Sequence, residues 1–412
     1  MIRHLAFFET LAELEEGTPR WNAVTAGLLV VRAFDSWIQY GDKTESYTEL
    51  SAVRREIEKL PEGPTRLLLE GILAEIQLGS RTPAEVLPRL VAYGKTLHME
   101  SEWKLAADVM ERAVELSREL QHDAADTDLT LGALQQLALS LRVQGRLEEA
   151  EAVYAELERL AGAAADWARV LRARVGYAKI AMARGNLPVA ERMLDEVVAE
   201  ARERAIPMMA GVAMHDRAAV AHARGEHAEA VRMLFDALHI TDDPTSRDGL
   251  LGDIAANLVS LGAYAPARDA LVVLTLTAQE AVRRLAAEIN LFEIATLERN
   301  EMAFEQHRKA LGAVSKPPEL AAHYHLYAAR GLLAFGRDSA LVTRELMRAR
   351  NVCDEHDYNQ LKFELDLLEE AVAKGERQER LKEATATFAA ADDIAEVAGG
   401  LYRLRLKAEA AT

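Results

Sequence analysis

The stretch ALSLRVQGRLEEAEAVY, residues 138–154, sets Ala138, Gly145 and Ala150 at intervals of seven and five, with Tyr154 four residues further on. The same spacing returns in Ala178, Gly185 and Ala190, in Ala218, Gly225 and Ala230, and in Ala255, Gly262 and Ala267. Leu194, Leu234 and Leu271 stand in the place of Tyr154, and the glycines recur at intervals of 40, 40 and 37 residues. A small-residue signature at such a period belongs to stacked helical hairpins, each burying its apolar face against the next. A small residue midway along the first helix lets its partner approach closely. The glycine ends that helix, where a left-handed backbone is unstrained only for glycine. The second alanine faces back into the pair, and the Tyr or Leu lies one turn along on the same face. Pro188 and Pro266 fall in the first turns of their helices, where a missing N–H costs little.

This order of small residue, glycine, alanine, then aromatic or leucine resembles the tetratricopeptide repeat. The likeness is strong over 130–280 and continues in weaker copies through Gly94/Ala106/Ala113, Leu291/Ala303/Ala310 and Ala329/Gly336. The chain departs from the family in a period of 36–44 residues where about 34 is usual, and in lacking most of its Trp and Pro. The resemblance implies an all-α, right-handed superhelical solenoid of antiparallel helix pairs, with a concave groove lined by first helices that holds a protein or peptide. Helical segments pair along the chain from 2–16 with 20–40 to 319–335 with 338–356, and the polar stretch 121–128 reads as a loop. The expected organisation is a divergent N-terminal helical cap over 1–90, repeats over 91–356, and a C-terminal helical cap or partner-binding tail over 357–412. Trp21 and Trp37 in the first part read as cap packing, with an aromatic ligand site as the alternative.

Half of the 412 residues are hydrophobic but only 6% aromatic, so alanine and leucine do the packing, as close helix contact requires. No convincing alternating strand is present. The formal charge of −17 repels phosphate backbones and anionic membranes unless a basic stripe is segregated on one face. No Lys/Arg run supplies one: Arg403, Arg405 and Lys407 merely alternate with Tyr402, Leu404 and Leu406. Direct nucleic-acid and membrane partners are therefore not expected. Cys353, the only cysteine, excludes a disulfide framework or a multi-cysteine metal site. The opening residues lack the apolar region of a signal peptide, and the apolar run Leu28–Val31 is cut by Arg32. A cytoplasmic bacterial protein is the expectation.

No phosphate loop, dinucleotide fingerprint, nucleophile elbow or zincin motif occurs. Ser101-Glu102-Trp103-Lys104 matches S-x-x-K without its companion elements and reads as helical surface. Glu119-Leu120-Gln121-His122 is a single E-x-x-H where a di-iron bundle needs two. Three His-Asp dipeptides, at 122, 215 and 356, raise a phosphohydrolase reading, but the second lies inside a regular repeat. His323 and His325 cannot share a helix face. No enzyme, cofactor or metal is expected.

In the resembled family, groove-facing side chains lie three before, one after and four after the small residue. Carried over, this names Gln135, Leu139 and Arg142, then Val175, Lys179 and Met182, then His215, Ala219 and His222, and Gly252, Ala256 and Val259, with Arg172 adding from six before. The candidate peptide-binding residues are thus Gln135, Arg142, Arg172, Lys179, His215 and His222. His215 and His222 read either as a ligand-contacting, pH-responsive pair or as hydrogen-bonded histidines. The function expected is a non-catalytic protein- or peptide-binding scaffold. The alternative is a regulatory sensor acting in trans, which resembles the helical-repeat arm of maltose-regulator-type transcription activators.

Overall fold

A computed structural model describes residues 3–40, 47–78, 83–119, 124–374 and 391–411. Twenty helices and no strand occur among them. They divide into two compact units, Met1–Val197 and Val198–Thr412, with the boundary inside α10. Unit 1 holds α1 (Leu5–Glu13), α2 (Pro19–Tyr40), α3 (Tyr47–Glu58), α4 (Pro64–Leu78), α5 (Pro83–Met99), α6 (Trp103–Glu119), α7 (Ala124–Val143), α8 (Leu147–Ala163), α9 (Trp167–Ala183) and the start of α10 (Leu187–Glu203). Unit 2 continues with α11 (Pro207–Ala223), α12 (His227–Ile240), α13 (Pro244–Ser260), α14 (Tyr264–Thr277), α15 (Ala281–Leu297), α16 (Glu301–Gly312), α17 (Pro318–Ala334), α18 (Ser339–His356), α19 (Asn359–Ala373) and α20 (Ala391–Ala411). Leaving aside α10 at the boundary, the helices of either unit through α19 pack chiefly on their sequence neighbours, as stacked hairpins require.

The repeat signature acts as its chemistry demands. Ala138, Ala178, Ala218 and Ala255 are buried against their partners, and so are Ala150, Ala190, Ala230 and Ala267. Gly145, Gly185, Gly225 and Gly262 all carry φ between 73° and 77°. At the first of these turns Gly145 N–H donates to Arg142 O at 3.0 Å and Arg146 N–H to Leu141 O at 3.0 Å, closing the helix end in a Schellman motif. The same pair of bonds closes turns whose left-handed residue is not glycine: Ser101, Ala165, Ala205 and Arg299 all have φ of 55–64°. Ser101 is therefore a turn residue between α5 and α6, where the sequence reading put helical surface. The polar stretch around 121–128 is shorter than expected, because α7 already begins at Ala124; its first residues, with His122-Asp123, lie outside those described.

Elsewhere glycine serves close approach. A Cβ on Gly331 of α17 would lie 1.9 Å from the Phe304 ring of α16, and one on Gly176 of α9 would lie 2.3 Å from the Tyr154 ring of α8. In unit 2, α20 does not continue the stack: it lies against the second helices α12 and α14. Ile394, Val397 and Leu401 join the core there, Gly400 faces the Phe235 ring, and Arg405 pairs with Asp269 at 3.2 Å. The alternating Arg/Leu pattern at 402–407 is thus one helix with a single buried side. Trp37, packed against Phe34 with ring centroids 5.9 Å apart, is core rather than ligand site.

Unit 1 is closed by a buried ionic network. His4, in the first turn ahead of α1, points Nδ1 at Asp108 Oδ1 of α6 (2.6 Å) and Nε2 at Asp35 Oδ2 of α2 (3.1 Å), while Arg112 Nε donates to Asp35 Oδ1 at 2.6 Å. Burial opposes the imidazolium charge, but the hydrogen bonds to Asp108 and Asp35 outweigh it and lift the pKa to about 9. A pKa raised on folding gives stability that is complete below the unfolded value near 6.5 and is lost as pH climbs through about 9.

Two predictions follow from the packing and one from the network. Gly331→Ala should destabilise the protein by about 1–3 kcal/mol through overpacking. Ala205→Gly should stabilise it by about 0.5–1 kcal/mol, the relief of left-handed strain less the entropy of glycine; urea unfolding followed by circular dichroism measures both. All four tryptophans lie in unit 1, so thermal unfolding followed by their fluorescence reports the network. It should show stability falling between pH 6.5 and 9, and His4→Gln should flatten that slope.

Candidate ligand groove

The stack gives each unit a face built from the first helices of successive pairs, and the register carried over from sequence falls on them. Gln135 and Arg142 are half-buried on α7, and Arg172 and Lys179 half-buried on α9. Arg142 faces His98 of α5; burial first, and then this guanidinium, hold the imidazole pKa below its usual value. In unit 2, His215 and His222 of α11 are tied to the next first helix, α13. His215 Nε2 lies 2.6 Å from Asp253 Oδ2, and His222 Nδ1 lies 2.9 Å from Asn257 Oδ1, which also meets His227 Nδ1 at 3.0 Å. The structure places this pair in hydrogen bonds between helices.

A deeper feature of the same face lies further along unit 2. There α13, α15, α17 and α19, all first helices, enclose a cavity of about 420 Å³ with the start of α14. Its walls combine apolar side chains, Val259, Leu297, Leu367 and Leu368, with polar ones. Arg330 of α17 bridges two carboxylates, donating from Nη1 to Glu293 Oε1 of α15 (3.1 Å) and from Nη2 to Glu364 Oε2 of α19 (2.7 Å). Its guanidinium lies 5.8 Å from the Tyr327 ring centroid, and the Tyr327 hydroxyl bonds Glu293. Burial raises the Glu293 carboxyl above the usual carboxylate range despite Arg330, and burial beside Glu293 raises the Tyr327 phenol. One turn back, half-buried His323 has its Nδ1 buried and unpartnered, and burial lowers its pKa. Two carboxylates share one guanidinium here, so a cationic group entering the cavity completes the charge balance. Among the described residues no cluster of His, Cys, Asp and Glu is arranged to hold a metal ion, and no helix is long and apolar enough to cross a membrane.

These residues went unread in the sequence although a signal existed. Arg330 stands one after Ala329, the register position that named Leu139 and Lys179. Glu293 stands one after Phe292, which precedes the left-handed Arg299 by the seven residues that separate alanine from glycine in the clear repeats. An arginine at the turn, where glycine marks the others, hid that register.

No protein-family model and no curated protein sequence matches the chain. Solved structures do share its fold. A signal-transduction ATPase with numerous domains from Pyrococcus horikoshii, which carries a tetratricopeptide-repeat sensor, superposes with a TM-score of 0.51 at 12% identity. The match covers 85% of this chain and 55% of that one, so the chain spans about half the length of that protein. The Rap conjugation regulator of plasmid pLS20 in complex with the Phr* peptide superposes with a TM-score of 0.47 at 11% identity, over 80% of this chain and 95% of that one. NprR in complex with its cognate peptide NprX superposes with a TM-score of 0.45 at 12% identity, over 85% and 91% of the two chains. The chain is an all-α helical-repeat protein of tetratricopeptide-like fold.

Arg330→Gln should leave Glu293 and Glu364 facing each other without a cation, at a cost of about 1–3 kcal/mol. Glu293, whose pKa already lies above the usual range, takes up a proton as pH falls and relieves that repulsion. Urea unfolding should therefore show the variant's deficit larger at pH 8 than at pH 5.

Proposed function

We propose that the chain is a non-catalytic scaffold that receives a peptide along its first-helix faces, and that the cavity of unit 2 anchors a basic group of that peptide. The arrangement of Glu293, Arg330 and Glu364 carries this reading: three charged groups, one from each of three consecutive first helices, converge on a hollow whose walls include apolar side chains. Such a hollow suits an amine or guanidinium followed by an apolar side chain, the charge paired with the carboxylates and the side chain against Leu297 and Leu367. His215 and His222 lie on first helix α11 of the same unit and are assigned to the remainder of the peptide, while Gln135, Arg142, Arg172 and Lys179 are assigned as peptide contacts on the first helices of unit 1 taken by itself.

The reading requires no bond-making step.

Display of a random peptide library against the full chain tests the proposal. Selected peptides should share a Lys, Arg or free amino terminus next to an apolar residue. A synthetic selected peptide should bind Glu364→Gln at least about tenfold more weakly, a loss of about 1.4 kcal/mol. Selection without such a pattern, or binding indifferent to Glu364, would sink the assignment.

A further inference from the structure

On the opposite side of α17 from the groove, unit 2 holds a second and larger hollow of about 780 Å³, walled by α16, the turn after it, α17 and α18. Arg308, Lys309, Lys316, Arg344 and Arg348 line it against only two carboxylates, Glu305 and Glu345. Both carboxylates are already spoken for. Arg308 donates from Nε and Nη2 to Glu305 Oε2 at 2.9 and 2.8 Å. Glu345 accepts from Arg348 Nη1 at 2.9 Å and lies 2.6 Å from His325 Nδ1. Lys316 is held at the rim: its ammonium donates to Leu311 O and Val314 O and lies 4.3 Å from the Tyr324 ring centroid. Lys309 and Arg344 make no hydrogen bond or ion pair among the described residues.

The result is a concentration of uncompensated positive charge in a chain of net charge −17. Cations gathered in one hollow repel each other, and an anion seated among them removes that cost while gaining charge-assisted hydrogen bonds. The surplus exceeds what one carboxylate neutralises, so the fitting ligand carries several negative charges. It must also be compact, because a polyanionic polymer long enough to leave the hollow would run into the field of an acidic protein. The volume lies within the range of small-molecule sites.

We propose that this hollow binds a small phosphate-bearing anion, of the size and charge of a nucleoside polyphosphate, with Lys309 and Arg344 as its principal donors. Arg308 and Arg348 keep an unused guanidinium edge for further phosphate oxygens. The site is independent of the peptide groove, since no residue lines both hollows.

Isothermal titration of the full chain at low salt, with sodium tripolyphosphate, with ATP, and with short poly-L-glutamate, tests the assignment. Tripolyphosphate and ATP should both bind, and Lys309→Gln with Arg344→Gln should weaken each by about tenfold or more, two charge-assisted contacts being lost. Arg403→Gln with Lys407→Gln, the same change in net charge at exposed positions of α20, should leave binding unaltered. ATP binding more tightly than tripolyphosphate would add the nucleoside to the recognised ligand. The proposal falls if neither phosphate binds, if the control pair weakens binding equally, or if poly-L-glutamate binds as tightly as the phosphates do.

Discussion

A helix ended by one residue in left-handed conformation is the constraint on which this structure rests. With φ positive at Gly145 and its equivalents, two backbone N–H groups turn back onto the last carbonyls, and the chain leaves the helix at one fixed angle. The next helix then runs antiparallel, close enough that Ala138 and Ala150 are fully buried in the contact. Closer still, an aromatic ring such as Phe304 lies on the bare backbone of Gly331. Ser101, Ala165, Ala205 and Arg299 hold the same turn without glycine. The surrounding burial therefore outweighs left-handed strain of about 1–2 kcal/mol at each of these positions.

Because each hairpin repeats the same turn, chemically different faces arise from one rule. Side chains on successive first helices collect along one face, and in unit 2 they bring Glu293, Arg330 and Glu364 to one hollow. A single helix can serve both sides. On α17, Tyr327 and Arg330 line the acidic groove and His323 stands one turn before Tyr327, whereas Tyr324 and His325 face the basic hollow beside α16 and α18. The two histidines could not share a helix face, and each takes its character from the helix it meets. Meanwhile α20 covers the second helices α12 and α14 in their part of unit 2.

The repeat was legible because small residues at interhelix contacts admit few substitutes, so Ala178, Gly185 and Ala190 announce themselves by spacing alone. The groove residues carried over from the resemblance do lie on first helices, yet spacing did not reveal that Asp253 and Asn257 hold His215 and His222. It also concealed the register of α15, where Arg299 does the work of glycine. Nor could a search for Lys/Arg runs find the basic hollow, whose cations come from two helices and an intervening turn.

By itself, then, the order of residues determined the all-α repeat, the place of nearly every helix and the turns that join them, since these depend on contacts within a hairpin and on backbone conformation at single positions. Only tertiary structure decided which charges meet. Glu293, Arg330 and Glu364 stand 37 and 34 residues apart and become neighbours through stacking. The burial that raises the Glu293 pKa, and the carboxylates that raise that of His4 against its burial, come together only once separate helices have closed around these residues.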